Sequence, residues 1–113
     1  MNRKYSLKKN HEIAALFKNK VSVGNRYYVI YYKPNTLSIP RIAISVSKKY
    51  GKAVTRNYEK RVTREILRNL IQTLPNYDFL VIIKKGVSTL KFSQKKDQLQ
   101  YLINKIIKTG VQE

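Results

Sequence analysis

Apolar residues at helical spacing mark three segments of this chain. Near the N-terminus, Ile13, Leu16 and Phe17 share one face of a predicted short helix. A longer helix is predicted over residues 53–74, where apolar side chains recur at every fourth position before Pro75. Its stripe is Val54, Tyr58, Val62, Ile66 and Leu70, widened by Leu67, Ile71 and Leu74. A third stripe predicts a last helix; it is made of Leu99, Leu102, Ile103, Ile106 and Ile107.

Three strand-like runs lie between these helices. Residues 27–32 are aromatic and β-branched, and residues 41–47 alternate between larger and smaller side chains. In the alternating run the inward positions are Ile42, Ile44 and Val46, and the outward ones are Ala43, Ser45 and Ser47. We expect these two strands to pair antiparallel through the proline-bounded loop 34–40. Residues 77–83 are apolar on both faces, which is typical of a central strand.

The predicted order of elements is α-β-β-α-β-α, in one α+β domain that spans residues 1–113. A chain of 113 residues has room for one hydrophobic core, and two independent cores would each be marginal. Because a helix joins the second and third strands, these two can lie parallel in one mixed sheet. The ordinary expectation for such a crossover is a right-handed one, as in about 98% of cases.

The charge of the chain sets it apart from most small domains. Its 24 Lys and Arg residues oppose 6 Asp and Glu, which gives a formal net charge of +18, whereas a small domain usually carries a charge of about 2–8 in magnitude. A compact state with this charge repels itself, so a polyanionic partner is predicted: RNA, DNA or an anionic membrane surface. No apolar run approaches the roughly 20 residues of a membrane span. We therefore expect a soluble protein of the cytoplasm.

The inventory of reactive side chains argues against an active site in the protein itself. The chain has no cysteine, which excludes disulfides, cysteine-ligated metals and cysteine nucleophiles. Its single histidine, His11, lies beside the first helix, and its six acidic residues are scattered. The Gly51-Lys52 pair lacks the upstream glycine and the following hydroxyl residue of a phosphate-binding loop. We expect no catalytic residue and no protein-bound metal.

Basic residues concentrate on and just before the long helix. A stripe at every fourth position is formed by Arg56, Lys60, Arg64 and Arg68, with Arg61 beside it. Three more cations, Lys48, Lys49 and Lys52, precede the helix, where the helix dipole disfavours each exposed cation by about 0.3–1 kcal/mol. Phosphate groups at the helix start and along the stripe would reverse these penalties. This surface is therefore predicted to bind nucleic acid, with a solvated helix face as the alternative.

The chain contains nine tyrosines and no tryptophan. Aromatic rings on a sheet among basic residues can stack on unpaired bases. One face of the strand 27–32 must pack on a helix, so half of its four tyrosines are expected to be core. The pattern leaves open which half of Tyr27, Tyr28, Tyr31 and Tyr32 that is.

The segment 45–65, SVSKKYGKAVTRNYEKRVTRE, resembles the signature of the protein subunit of bacterial ribonuclease P. The segments 7–10 (LKKN) and 22–26 (SVGNR) are similar to that family as well, and the likeness covers essentially the whole chain. The resemblance implies an α-β-β-α-β-α sandwich like the second domain of ribosomal protein S5, with a mixed sheet. It also implies a left-handed β-α-β crossover, against the ordinary expectation.

The resemblance further implies a function. In this family the RNA subunit cleaves the 5′ leader from precursor tRNA with magnesium ions held at the RNA, so that the complex is an endonuclease and the protein alone is not catalytic. The protein binds the catalytic RNA and the leader, with no membrane and no obligate protein partner. By position, the residues that face the catalytic RNA are Lys49, Lys52, Arg56, Asn57, Lys60, Arg61 and Arg64. The leader-binding cleft has Phe17, Val29 and Tyr31, with Ile13 at the position of a usual phenylalanine.

Two other classes of protein share the composition. A ribosomal protein or an RNA chaperone would carry the same charge and tyrosines, and only the segment 45–65 separates them from the family above. A membrane-active cationic protein needs a basic amphipathic helix that is free to leave the domain. The wide apolar stripe of the long helix commits it to the core and argues against that class.

Overall fold

The computed structural model describes residues 3–47, 49 and 51–112. Within these residues three helices pack against one sheet: α1 (Asn10–Asn19), α2 (Ala53–Leu70) and α3 (Phe92–Gln112). The strands of the sheet are β1 (Ser22–Gly24), β2 (Tyr28–Pro34), β3 (Arg41–Val46) and β4 (Tyr77–Ile83). The predicted α+β class and the predicted order of the three helices and three longer strands are confirmed. The three-residue β1 was not predicted, because it is too short to show an alternating pattern.

The order of strands in the sheet is β1-β2-β4-β3. The expected antiparallel pairing of the segments 27–32 and 41–47 is wrong, because β4 lies between them, antiparallel to β2 and parallel to β3. The physical reason is the apolar character of β4, which needs cover on both faces and therefore takes a central position. The parallel relation of β3 and β4 across α2 is confirmed. The left-handed sense of this crossover stays a prediction.

The main core lies between the sheet and the pair α2 and α3. From β2 it takes Tyr28, Ile30 and Tyr32, and from β4 Phe79, Val81 and Ile83. Alternation along β2 directs Tyr31 to the opposite face, where α1 packs. The open question about the tyrosines is thereby answered: Tyr28 and Tyr32 are core, whereas Tyr27 and Tyr31 are partly exposed.

Ala43 lies on the face of β3 opposite to Ile42 and Val46, as the alternation predicts, but this face is not open to solvent at Ala43. Its side chain is buried in a second, smaller cluster with Leu7, Leu16 and Leu80. The face of β3 that the pattern assigned to solvent is covered here by α1 and by the N-terminal segment, whose Leu7 N–H donates to the Ile42 carbonyl oxygen at 2.9 Å. The sheet is thus covered on both faces, fully on one side and partly on the other.

The two ends of the stripe on the long helix also differ from the prediction. Val54 and Tyr58 are 81% and 49% exposed, because the buried face of α2 begins only at Glu59. At the other end α2 stops at Leu70, and residues 71–73 form a 3₁₀ turn before the buried Leu74. The first turns of α2 therefore extend beyond the core and present apolar side chains to solvent.

Candidate RNA interface

The face of the sheet beneath α1 forms the floor of a cleft. Its side chains lie in rows, because paired strands place opposite residues side by side on the same face. One row across β2, β4 and β3 is Val29, Ile82 and Ser45. The next row is Tyr31, Leu80 and Ala43. Leu80 and Ala43 are buried, whereas Val29, Ile82 and Tyr31 are half-buried and Ser45 is exposed, so the first row remains accessible.

The first helix forms the wall of this cleft. Leu16 is buried against Leu80 and Ala43 and holds α1 on the sheet. The ring of Phe17 lies 4.9 Å from the ring of Tyr31, centroid to centroid, at an interplanar angle of 54°. Phe17 is 46% exposed, so this aromatic pair is a surface of the cleft rather than part of the core.

All four residues predicted for the cleft come together in the structure. Ile13 and Tyr31 pack against the same buried cluster, and Phe17 contacts Tyr31. Val29 lies two residues before Tyr31 on the same face of β2. The sequence reasoning missed Ile82 and Ser45, which complete the row of Val29. Alternation places Ile82 on one face with Leu80, but only the strand order shows that it lies beside β2.

The residues predicted to contact the catalytic RNA are divided between exposed and half-buried positions. The exposed residues are Lys49, Lys52, Asn57, Arg61, Arg64 and Arg68, and the half-buried ones are Arg56 and Lys60. Lys48 lies outside the described residues. The guanidinium of Arg68 pairs with the carboxylate of Glu65 one turn earlier, so part of its charge is compensated. The exposed set covers the side of α2 that faces away from the core.

The start of α2 carries an uncompensated positive potential. Lys52 occupies the N-cap position without a side-chain hydrogen bond, and no acidic residue lies in the first turn. The free amide groups and the helix dipole therefore add to the charges of Lys49 and Lys52. The Nε atom of Arg56 is buried and has no hydrogen-bond partner among the described residues. This end of the helix suits an anionic group.

Arg64 connects the basic helix with the region of the cleft. It lines a cavity at the edge of β3 together with Lys8, from the N-terminal segment, and Ile13, from α1. The floor of this cavity is formed by Ile42, Ala43 and Ile44. A cation from α2 and the apolar side of α1 thus meet at one edge of the sheet, which places the two predicted sites next to each other.

Further cations that the sequence reasoning missed lie at one end of the sheet. The Lys84 N–H donates to the Tyr27 carbonyl oxygen at 2.9 Å, and the Ser47 N–H donates to the Ile83 carbonyl oxygen at 3.2 Å. The end of β3, the end of β4 and the start of β2 therefore meet there. This brings Arg26 and Lys85, both exposed, to the same end as the residues before α2. These residues are far apart in the sequence, and only the sheet topology shows that they lie at the same end of the sheet.

At the opposite end of the cleft an ion cluster fixes α1 to the sheet. The Nη2 atom of Arg41 donates to Glu12 Oε2 at 2.6 Å and to Asp78 Oδ2 at 2.8 Å. Arg41 Nε donates to Asp78 Oδ1 at 2.9 Å, and Asn35 donates to the same oxygen at 2.9 Å. The Arg41 guanidinium, by its hydrogen bond, holds the pKa of Glu12 below the usual 4.5. The bonds to Asp78 and Glu12 raise the pKa of Arg41.

Within the described ranges, no group of three or more His, Cys, Asp or Glu side chains is placed to hold a metal ion. His11 is exposed at the start of α1. The carboxylates of Glu12 and Asp78 are both occupied by Arg41. Among the same residues no helix has the length and apolar character needed to cross a membrane.

Comparison with known proteins gives the same family at the level of sequence and of structure. A family model described as Ribonuclease P matches residues 1–107. The ribonuclease P protein component of Phytoplasma australiense is 44% identical over 108 residues, covering 94% of each chain. That of Carboxydothermus hydrogenoformans is 39% identical over 114 residues, covering 98% of this chain and 97% of the relative.

Solved structures of the same family share the fold. The RNase P protein of Staphylococcus aureus matches with a TM-score of 0.82 at 33% identity, over 88% of this chain and 93% of that one. The RNase P protein of Thermotoga maritima matches with a TM-score of 0.81 at 30% identity, over 88% of this chain and 96% of that one. The chain therefore belongs to the ribonuclease P protein family, and this membership implies a role in tRNA processing.

Proposed function

We propose that this chain is the protein subunit of a ribonuclease P ribonucleoprotein, which binds the catalytic RNA with α2 and the 5′ leader of precursor tRNA in the cleft beneath α1. The observation that supports this most directly is the cleft itself. It combines a partly exposed aromatic pair, Phe17 and Tyr31, with the accessible apolar side chains of Val29 and Ile82. Such a surface suits unpaired bases and has no obvious use in a protein that only needs to be soluble.

The leader is recognised in this proposal by stacking and apolar contact. Aromatic side chains bind unpaired bases with about 1–3 kcal/mol per base and little sequence preference, because every base has a π-face. Ile13, Val29 and Ile82 supply apolar surface next to the rings of Phe17 and Tyr31. The cations at the end of the sheet, Arg26 and Lys85 among them, are placed to contact the phosphates of the same strand. A tolerant site of this kind fits leaders of differing sequence.

The catalytic RNA is bound by the charge of α2 and of the residues before it. Lys49, Lys52, Arg61 and Arg64 are exposed, and the uncapped helix start attracts phosphate. Each neutralised phosphate releases counterions, so the affinity should fall steeply with salt. In this arrangement the protein holds and positions RNA.

Cleavage in this proposal is carried out by the RNA subunit with magnesium bound at the RNA, and the complex acts as an endonuclease and hydrolase in the cytoplasm. The protein contributes affinity for the precursor and compensates repulsion between the two RNA molecules. The complex needs neither a membrane nor another protein. The isolated chain should therefore leave RNA intact.

The test is a comparison of precursor and mature tRNA. In the complex with the RNA subunit, Tyr31→Ala should weaken the binding of precursor tRNA about tenfold, within the range for loss of one stacked base, and leave mature tRNA unchanged. Tyr31→Phe should behave as the wild type. Tyr101→Ala, which removes a 55% exposed ring from α3, is the matched control. An equal loss for both tRNA forms would refute the leader assignment.

A leader-removal assay, in which the chain is added back to the RNA subunit, distinguishes the proposed subunit from a ribosomal protein or an RNA chaperone. The proposed subunit should restore leader removal at low magnesium concentration, and the isolated chain should leave precursor tRNA uncut. A chaperone would bind RNA without stimulating leader removal. Cleavage by the isolated chain would contradict the proposal that the RNA subunit is the catalyst and the protein only binds RNA.

A further inference from the structure

A second cavity lies on the other side of the molecule, between α2, the start of α3 and the segment that follows β4. Its volume is about 310 Å³, and it is lined by Thr55, Tyr58, Glu59, Ser88, Leu90 and Lys95. None of these residues belongs to the cleft or to the predicted set of RNA contacts. The cavity nevertheless opens beside the first turns of α2, the part of that helix that extends beyond the core.

The wall of this cavity is an aromatic ring that the core does not cover. Tyr58 is 49% exposed, although its spacing in the sequence marks it as a core position. The Nζ atom of Lys95 lies over one face of this ring, 5.5 Å from its centroid, which is within the distance of a cation–π interaction. The ring is therefore held in place by a cation, and the 49% exposure of Tyr58 leaves ring surface for a planar partner.

The floor of the cavity is a buried ion pair. Lys95 Nζ donates to Glu59 Oε1 at 2.6 Å and to Oε2 at 3.2 Å. The two side chains are 9% and 3% exposed, respectively. A buried pair of this kind is costly to separate, so it forms a rigid polar base beneath the ring. Thr55 and Ser88 line the same cavity. The Ser88 hydroxyl donates to the Lys85 carbonyl oxygen at 3.1 Å and can still accept a hydrogen bond, and Thr55 supplies a second hydroxyl group.

We propose that this cavity binds one unpaired nucleotide of the catalytic RNA, with its base stacked on Tyr58 and its edge directed towards the hydroxyl groups of Thr55 and Ser88. This inference rests on the proposed function for the identity of the RNA. The contact would be non-electrostatic, in contrast to the contacts of the cations on the same helix. Arg61 follows Tyr58 by three residues, about one turn, and is placed to hold the adjoining phosphate.

The choice of a nucleotide follows from the combination of groups. An aliphatic or aromatic side chain of a partner protein would gain little from a floor of two buried charges. A base offers a π-face for the ring of Tyr58 and polar atoms on its edge for the hydroxyl groups of the rim. The helix that carries Tyr58 also carries exposed cations, which draw a polyanion to this surface.

The test uses the chain assembled with its RNA subunit. Tyr58→Ala should lower the affinity for that RNA about tenfold at every salt concentration, with an unchanged salt slope, because no charge is removed. Tyr58→Phe should bind like the wild type. Tyr101→Ala is the matched control, since Tyr101 is 55% exposed and has a cation, Lys105 Nζ, 4.8 Å from its ring centroid, but does not line this cavity. Ser88→Leu, which adds a bulkier side chain to the lining of the same cavity, should reproduce the loss.

Chemical probing of the RNA subunit supplies the second measurement. One unpaired base should be protected by the wild-type chain and by Tyr58→Phe, and should become reactive with Tyr58→Ala. If Tyr58→Ala binds as tightly as the wild type, or no base changes its reactivity, the inference is wrong. The proposed function survives that result if Arg61→Ala still weakens assembly. It fails separately if the wild-type chain does not bind the RNA subunit at all.

Discussion

Arg41 links the first helix to the sheet, and its replacement should loosen the wall of the cleft beneath α1. Its guanidinium joins Glu12 on α1 to Asp78 on β4 through one hydrogen bond of 2.6 Å and two of 2.8 and 2.9 Å. Among the described residues, the ion pair between Arg41 and Glu12 links α1 to the sheet, and Asp78 binds the same guanidinium. Phe17, the aromatic residue of the cleft wall, lies near the end of the same helix.

The size of the effect follows from the bonds that are lost. In Arg41→Met the carboxylates of Glu12 and Asp78 lose their shared cation and repel each other. A hydrogen bond to a charged group contributes about 1.5–3 kcal/mol, and the carboxylate of Asp78 is only 15% exposed, so water replaces the lost bonds only in part. We expect the free energy of unfolding to fall by about 3 kcal/mol, which for a chain of this length lowers the melting temperature by roughly 12 °C.

Glu12→Gln separates the role of Arg41 in the cleft from its role in stability. This change keeps the bonds between Arg41 and Asp78 and removes only the charged link to α1. We expect a smaller loss of stability than for Arg41→Met, together with weaker binding of precursor tRNA and unchanged binding of mature tRNA in the assembled complex. Asp97→Asn, at an exposed acid of α3, is the control. An equal loss for both tRNA forms would show that α1 has no special part in leader binding.

The same link predicts a dependence on pH. Because Arg41 holds the pKa of Glu12 below 4.5, the ionised form is favoured by folding. Its contribution to stability is therefore present above the unfolded pKa and is lost as the pH falls through the folded value. In urea denaturation, the wild type should exceed Glu12→Gln in stability at pH 7, and the difference should vanish as the pH falls below 4.5. A difference that is constant from pH 7 to pH 3 would contradict the reasoning.

Three further outcomes are expected. Arg61→Ala should reduce the salt slope of RNA binding by about 0.7–0.9, whereas Lys108→Ala, at an exposed position on α3, should leave it unchanged; equal slopes for both would argue against α2 as the RNA surface. Gly86→Ala should cost about 1–3 kcal/mol in urea denaturation, because its Cβ atom would lie 2.9 Å from the carbonyl oxygen of Arg26. Leu99→Ala, at a fully buried position, should cost about 2–5 kcal/mol in the same assay, and a smaller loss would mean that the core repacks around it.

The strands show how far the pattern of the sequence leads. The central place of β4 and its parallel relation to β3 follow from its two apolar faces and from the helix that joins the two strands. The pairing of β2 was not predictable in the same way. A short loop favours a hairpin between β2 and β3, but the sheet gains more by placing β4 between them, where both of its edges and both of its faces are covered. This gain depends on a segment more than thirty residues away.

The sequence predicts which residues of the cleft share a face of one strand, but it does not predict which strands lie side by side. Alternation along β2 is a local property, and it correctly places Val29 and Tyr31 on one face. Whether that face or the opposite one is core depends on the positions of the helices, so the sequence alone does not show which tyrosines of residues 27–32 are core. Ile82 and Ser45 lie in the cleft because β4 and β3 follow β2 in the sheet, and only the strand order shows this. For the same reason the convergence of Arg26 and Lys85 with the start of α2 required the structure.

The exposed start of α2 shows why an apolar stripe does not by itself mark a core. The spacing of Val54, Tyr58 and Val62 is the same as that of the buried residues further along the helix. Val54 and Tyr58 are nevertheless exposed, because the core does not extend to the first turns of α2. Periodicity reports which residues share a face and contains no information about where the opposing surface ends. A second signal was present in the sequence, since the first turn has cations before it and no acid within it. An apolar stripe that continues into such a segment is better explained by a polyanionic partner with stacking surfaces than by a longer core, and this is the argument for a nucleotide at Tyr58.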